Sequence, residues 1–451
     1  MWRLFTAFAL WGVVAFSASA EFRLATFAVQ VNPPLGHACM GGGILPAKEY
    51  IDPLWARGVV LSGGEKPLVF CAIDWCEIRN EAYDYWREQL AEAAGTVREY
   101  VFFSSVHQHD TPVADLGAQR LLDANALPNA LCDATFMKDA TRRVAQALRD
   151  ALPNAQPVTH YGTGQAKVSD IASNRRVVAA DGSVDFPRNS ATSDPAVRAA
   201  PEGTIDPYLK TLSFWNGDVP IAAMSAYAVH PMSYYGKGGV TCDFPGLARE
   251  RRQKDDPKVF QMYVSGCSGD VTAGKFNDGA RENRMVLAQR LYNAMAGAWE
   301  KTERYPLESV KVRVAKLVLP IREEGGYTPE ELNKVLSDGA AKTFDRNLAA
   351  MGLAWRARHD AGQPIDVPAA DFGKALYLLL PGESFVGYQL YAQKAAPDNF
   401  VFVAGYGECA PGYIPTAEAE AENFIEKHNW CWVARGAHVP MKQAIHDALG
   451  R

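Results

Sequence analysis

A strand–helix–strand unit near the start of the chain limits the folds that this sequence can adopt. The segment KPLVFCAIDW (66–75) is short and apolar, EAYDYWREQLAEAA (81–94) has the composition of a helix, and EYVFFSS (99–105) is β-branched and aromatic. Two strands joined by a helix run parallel within one sheet. Asn216 and Gly217 instead separate two apolar runs in 208–229, which predicts an antiparallel hairpin. We therefore predict an α/β fold, with a mixed β-sheet core flanked by helices.

Helical patterns recur later in the chain. Further helices are predicted at 133–152, 279–301 and 441–449, and Thr328 with Glu331 forms a capping box that opens another. The residues of the second of these helices that should pack in the core are Met285, Ala288, Leu291, Tyr292, Met295 and Trp299.

The remaining organisation is simple. Segment 178–206 is polar and contains proline and glycine, so it is predicted to be a long surface loop that could lie on the substrate side. No internal repeat or linker divides the chain. Residues 21–451 are therefore expected to form a single domain.

The N-terminus predicts export. MWRLFTAFALWGVVAFSASA (1–20) has a basic residue, a short apolar run and a small-residue end, which together are typical of a signal peptide. We expect a secreted or periplasmic protein without stable membrane insertion, because no later segment is long and apolar enough to span a bilayer. The net charge of −5 argues against nucleic acid as a partner. Eight cysteines in an exported chain suggest disulfides, whose pairing the sequence leaves open, as it does the oligomeric state.

A pair of histidines follows one of the predicted strands. In SSVHQHDTP (104–112), His107 and His109 are two residues apart. In an extended chain both side chains point to the same side, so both imidazoles should face one spot. This pattern is typical of metal binding or acid–base chemistry, although it is not specific on its own.

Other predicted strands also end in polar side chains. His230 follows an apolar run, Glu383 lies in a Pro-Gly-Glu turn after another, and Tyr413 follows a third within a few residues. Catalytic groups in open α/β sheets lie beyond the carboxyl ends of strands. Two histidines and a carboxylate are a common set of zinc ligands.

These segments, taken together and in order, resemble the neutral/alkaline (non-lysosomal) ceramidases. SSVHQHDTP is similar to the HTHSGP-type motif of that family, AVHPMS (228–233) to its AVHxTS segment, and LPGESF (380–385) to its PGE motif. SGCSGDVTAG (265–274) and GYIPT (412–416) are similar to further conserved elements. The resemblance extends over nearly the whole chain after residue 20, and favours the shorter bacterial ceramidase-like proteins that lack a C-terminal β-domain.

The resemblance implies a neutral-ceramidase-like catalytic domain that is a zinc-dependent amidohydrolase. Its substrate would be an N-acylated small molecule, cleaved at a linear amide bond by water that the metal activates. Carried over by position, the residues that would hold Zn²⁺ are His107, His230, Glu383 and Tyr413. His109 would be the catalytic acid–base group, and Arg175 would be the catalytic cation that faces the substrate.

Departures from the motifs leave alternatives open. The position where the family carries a further catalytic tyrosine is Ile425, which cannot donate a hydrogen bond, so ceramide is in doubt as the substrate. Tyr234, Tyr235 or Trp430 could replace the missing donor. One alternative is a metallo-esterase or phosphoesterase with a second metal near Asp110, Asp243 and Asp270. The other is an exported glycan- or lipid-binding protein without catalysis.

Overall fold

The computed structural model describes residues 21–179 and 181–451, so the predicted signal peptide lies outside the described residues. In chain order, strands β1–β24 are Arg23–Gln30, Glu49–Tyr50, Trp55–Ser62, Leu68–Ile73, Glu77–Arg79, Val101–Ser105, Val113–Asp115, Gln156–Pro157, His160–Lys167, Ser173–Asn174, Val177–Val178, Val184–Asp185, Tyr208–Asn216, Val219–Tyr227, Gly239–Val240, Phe260–Ser265, Val271–Thr272, Glu303–Pro306, Lys311–Leu317, Ile365–Asp371, Ala375–Leu379, Glu383–Ser384, Phe400–Ala404 and Tyr413–Ile414. Helices α1–α12 are Asn80–Ala94, Leu116–Ala124, Ala134–Ala151, Pro195–Ala199, Asp243–Asp255, Asn283–Glu300, Pro329–Ser337, Thr343–Asp360, Val386–Ala395, Ala417–Ala421, Phe424–Lys427 and His438–Leu449.

Three sheets of mixed direction form the framework. Their strand orders are β6-β4-β3-β1-β8, β16-β14-β13-β9-β18 and β19-β20-β21-β23. The predicted unit at 66–105 is β4-α1-β6 with parallel strands, and the predicted hairpin is β13-β14. The predicted α/β class with a mixed sheet core is therefore confirmed.

The three sheets share one apolar core. Tyr377 of the third sheet lies between Phe70 of the first and Phe402 of its own sheet, with ring centres 4.6 Å and 5.0 Å away. Met224 and Tyr263 of the second sheet belong to the same buried cluster. Helices cover the outside, with α3 on β1, α6 on β9 and α12 on β19.

One edge of each sheet is a pair of parallel strands, and these pairs position the polar residues. The pairs are β4-β6, β14-β16 and β21-β23. Since β23 also contacts β14, and β16 contacts both β4 and β6, the three pairs adjoin one another. The chain segments that leave their carboxyl ends therefore meet in one region.

The helix predicted at 279–301 forms as α6, but one of its predicted core residues does not face the core. Met285 is 64% exposed, whereas Leu287 is buried. Met285 lies on the face of α6 opposite the buried side chains of Leu287, Leu291 and Ala294, and Arg284 in the same first turn is buried. Ala288, Leu291 and Met295 are buried as expected.

The stretch 178–206 is less of a surface loop than its composition suggests. It contains part of β11, then β12 and the short helix α4. Arg188 is fully buried, and its guanidinium donates to the carbonyl oxygens of Asn174, Val197, Ala200 and Pro201. These buried hydrogen bonds hold the stretch together and join it to Asn174.

The cysteines do not form the disulfides that export suggested. All eight are buried and unpaired. Burial raises the pKa of every one of these thiols, so each is a small apolar side chain in the folded protein. In addition, no helix among residues 21–179 and 181–451 has both the length and the apolar character needed to cross a membrane.

Stability is expected to fall between about pH 4.5 and 7 because of Glu408. Its Oε1 accepts hydrogen bonds from the backbone N–H groups of Asn80 and Ala410, but burial raises the pKa of the carboxyl from 4.5 to about 7. The folded state therefore binds this proton more tightly than the unfolded chain, and the cost of losing it is at most about 3 kcal/mol.

Denaturant titrations at pH 5 and pH 7 measure this effect. Glu408→Gln should lose clearly less stability than the wild type over this interval. Burial also raises the pKa of Asp110 and Asp270 to about 6. These two groups contribute equally to the pH dependence of both proteins, so their contribution cancels in the comparison. Equal losses in the two proteins would contradict the assignment to Glu408.

Candidate metal centre

Three predicted ligands meet where the parallel pairs end. His107 lies two residues beyond β6, His230 three beyond β14, and Glu383 four beyond β21. Glu383 Oε2 is 3.4 Å from His107 Nε2 and 2.9 Å from His230 Nε2. The ligand atoms of all three lie within 4.8 Å of one another, and all three residues are buried. This group could hold a metal ion.

Backbone carbonyls determine which ring nitrogens are free to bind. His107 Nδ1 lies 2.8 Å from the carbonyl oxygen of Cys76, and His230 Nδ1 lies 2.5 Å from that of Ser268. Because a carbonyl can only accept, each Nδ1 carries the proton, and in the neutral ring each Nε2 presents a lone pair. His107 Nε2 and Glu383 Oε2 have no hydrogen-bond partner although both are buried. Lone pairs that converge in this way fit a cation.

The ionisation of Glu383 and His230 suits metal binding, whereas His107 would have to release a proton that Glu383 favours. Burial alone would raise the pKa of Glu383, but His107 and His230 hold it well below its usual value. Burial opposes a charge on His107, yet Glu383 raises the pKa of that imidazole. For His230, burial and then Arg175 lower the pKa to about 4. A carboxylate with a neutral imidazole beside it is the form that binds a divalent metal.

His109 lies beside this cluster but has different surroundings. Its ring centre is 5.2 Å from that of His107 and 5.9 Å from that of His230. Its Nδ1 is buried without a hydrogen-bond partner. Burial, followed by the two neighbouring imidazoles, lowers the pKa of His109 well below its usual value, so the ring is neutral at pH 7. A neutral imidazole at this place can accept a proton.

His107 and His109 face one region as predicted, but not for the predicted reason. The chain is not extended here, because His107 has a φ of 78°, in the left-handed region that side chains rarely adopt. Gln108 turns away and donates to Asp74 Oδ1 and the carbonyl of Cys242. A strained backbone at a polar cluster is a common feature of functional sites.

Tyr413 and Arg175, the other predicted residues, border the same region. In the parallel pair β22-β24, Tyr413 is the direct partner of Glu383. Arg175 donates to Tyr413 Oη over 3.3 Å and to His230 Nε2 over 3.2 Å. The structure thus brings all six predicted site residues together, while their individual roles stay predictions.

A cavity of about 260 Å³ opens onto the cluster. One part of its wall is apolar, with Met40, Phe344 and Trp430, and another is polar, with Asn189 and Ser190 of the 178–206 stretch. That stretch therefore reaches the cavity, although its buried Arg188 does not line it.

The position of the absent tyrosine is not on the cavity wall. Ile425 is buried in an apolar cluster. Of the predicted replacements, Trp430 already donates its indole N–H to Glu77 Oε1, and Tyr234 packs on Arg284. Tyr235 lines the cavity, and its ring centre is 4.9 Å from that of His109. Tyr235 is therefore the best placed hydroxyl donor.

Sequence reasoning missed two aromatic residues of the site. The ring of Tyr406 stacks on His107 at 4.3 Å, and its hydroxyl bonds Ser268 Oγ at 2.7 Å. His428 lines the cavity and stacks on Phe424 at 3.7 Å. Tyr406 lies two residues beyond β23, so the strand-end pattern could have found it. Nothing local distinguishes His428.

The aspartates considered for a second metal have other partners. Asp110 accepts from the N–H of Gly236, and Asp270 accepts from Val386 N–H and Asn174. Asp243 accepts from the N–H of Ser233 and pairs with Arg284. None of the three belongs to a metal-capable group among the described residues.

The whole fold is similar to that of solved ceramidases. Neutral ceramidase from Pseudomonas aeruginosa matches with a TM-score of 0.67 and 16% sequence identity, over 96% of this chain and 74% of that chain. A ceramidase complexed with C2 matches with a TM-score of 0.68 and 15% identity, over 96% of this chain and 75% of that chain. No family model and no curated protein matches the sequence. The neutral-ceramidase-like fold predicted from the sequence is confirmed.

Proposed function

We propose that the protein is an exported zinc-dependent hydrolase that cleaves the amide bond of a small N-acyl compound. The observation that carries this proposal is the buried convergence of His107 Nε2, His230 Nε2 and Glu383 Oε2, two of which have no hydrogen-bond partner. Tyr413, beside Glu383, would complete the ligand set. Zinc suits imidazole and carboxylate ligands, and when bound it supplies Lewis acidity that activates water and polarises a carbonyl.

The neighbouring side chains have roles that follow from their surroundings. His109 is neutral, lines the cavity and has a free Nδ1, so it takes a proton from the attacking water and returns it to the leaving nitrogen. Arg175 and Tyr235 donate hydrogen bonds to the polar groups of the substrate. The apolar part of the wall excludes water around the acyl group.

One alternative function has less support than amide hydrolysis. A phosphoesterase with two cations needs further carboxylates at the centre, and Asp110, Asp243 and Asp270 are engaged elsewhere. The remaining alternative, a binding protein without catalysis, differs from the proposal in turnover. Dialysis against a chelator followed by addition of zinc tests both points: hydrolysis of an N-acyl substrate should stop and then return.

We expect weak or absent activity on ceramide. A cavity of about 260 Å³ is below the usual range for drug-sized ligands, and it has no room for two long chains. The measurement is kcat/KM for a fluorescent ceramide beside short N-acyl amino acids and N-acyl amino sugars. A preference for the ceramide of more than about tenfold would overturn this expectation.

A further inference from the structure

Arg175 is a buried cation without a carboxylate partner. It is 6% exposed, and no carboxylate among the described residues lies within 4.0 Å of its guanidinium. Its Nε is buried and has no hydrogen-bond partner. Its neighbour Arg176 differs, because it forms a close pair with Glu422. An unpaired buried charge is costly, so its presence in a cavity wall points to an anionic ligand.

Arg188, another buried arginine, shows that this fold does not generally leave buried guanidinium groups without partners. Arg188 also lacks a carboxylate, but its guanidinium nitrogens donate four hydrogen bonds to backbone carbonyls. Arg175 instead directs its bonds at His230 Nε2 and Tyr413 Oη, which are atoms of the candidate metal centre. A cation held by those two atoms would take their lone pairs and leave the Arg175 donors free.

The charge of the cavity also favours an anionic ligand. Glu383 contributes the carboxylate of the cavity wall, and it faces the two imidazoles rather than the open space. A divalent cation at this centre, together with Arg175, therefore gives the cavity a net positive charge. A carboxylate on the substrate would balance part of that charge.

We propose that the substrate carries a carboxylate next to the scissile amide and that Arg175 binds this carboxylate. The substrate class is then a short N-acyl amino acid, rather than an N-acyl amino sugar or an N-acyl amino alcohol. This inference rests on the proposed function. In the reaction the oxygen of water bonds to the acyl carbon and the amide C–N bond breaks. The nitrogen gains a proton, and the products are a carboxylic acid and a free amino acid.

The first test compares N-acetyl-leucine with N-acetyl-leucinamide, which has the same shape but no charge. The wild type should prefer the acid by about 10- to 100-fold in kcat/KM, as expected for charge-assisted hydrogen bonds. Arg175→Gln should remove most of this preference, because kcat/KM for the acid should fall far more than kcat/KM for the amide. Arg175→Lys should restore only part of it, because an ammonium lacks the planar fork of a guanidinium.

A matched control is available one residue away. Arg176→Gln removes an equal charge that is already paired with Glu422 and lies outside this cavity, so the preference should persist. Equal kcat/KM values for the two compounds in the wild type would overturn the proposal. So would an equal loss on both in Arg175→Gln, which would place Arg175 at the reacting carbonyl instead.

A binding measurement tests the anion site separately from the proposed catalytic function. Calorimetry with zinc-loaded His109→Ala, which should bind without turnover, should show tighter binding of N-acetyl-leucine than of N-acetyl-leucinamide by about tenfold or more. If no N-acyl compound is hydrolysed but the acid still binds more tightly, the proposed function fails and the anion site stands. Equal binding of the two compounds rejects the anion site, whatever the activity.

Discussion

His107→Ala and His230→Ala will each reduce zinc binding by more than about 100-fold and abolish amide hydrolysis. Loss of a residue that only supports a ligand typically costs 10- to 100-fold in metal affinity, so loss of a ligand should cost more. Both imidazoles present Nε2 to Glu383 and are held by carbonyls at Nδ1, so each is fixed in the orientation that a metal ligand needs.

Elemental analysis of purified protein measures the zinc directly, and the rise in unfolding temperature on adding zinc measures its affinity. His428→Ala is the matched control, because it removes an imidazole from the same cavity that is outside the cluster. It should keep its zinc. A wild type without zinc, or variants of His107 and His230 with full zinc, would reject the metal centre. Circular dichroism must show that each variant is folded, since His107 also packs on Tyr406.

His109→Ala should retain zinc and lose about 10²–10⁴-fold in kcat, the usual range for a general acid–base group. The structure gives this imidazole the properties of the role: it lines the cavity, is neutral at pH 7 and has a free Nδ1. His109→Gln keeps a polar side chain of similar size but cannot carry the proton, so it should be about as inactive.

Metal content determines how a failure of this second prediction is interpreted. If His109→Ala loses zinc, His109 is a ligand and the roles assigned to the cluster are wrong. If it keeps both zinc and activity, the proton is transferred by another group, and His428 and Tyr235 are candidates because both line the cavity.

The sequence predicts the sheet edges of this protein well, because their signals are local. The unit at 66–105 and the hairpin at 208–229 follow from apolar runs and the residues between them, and the structure contains both. The polar residues at strand ends meet for the same reason: parallel strands place their carboxyl ends side by side.

Other features depend on contacts between distant parts of the chain. The left-handed backbone of His107 depends on a hydrogen bond from its N–H to the carbonyl of Trp75, which lies in another loop. His428 is positioned at the cavity by Phe186 and Tyr413, whose ring centres lie 6.1 Å and 5.7 Å from its own. No sequence pattern around these residues encodes such partners, so their positions could not be predicted.

The buried thiols affect the chemical lifetime of the protein once it unfolds. A thiol reacts as its thiolate, and burial keeps all eight protonated and inaccessible in the native fold. In the unfolded chain their pKa values return to about 8.5, and oxygen or a neighbouring disulfide can then oxidise or cross-link them. In an oxidising compartment, refolding therefore competes with a covalent side reaction. The lifetime of the protein there is set by its unfolding rate rather than by its equilibrium stability.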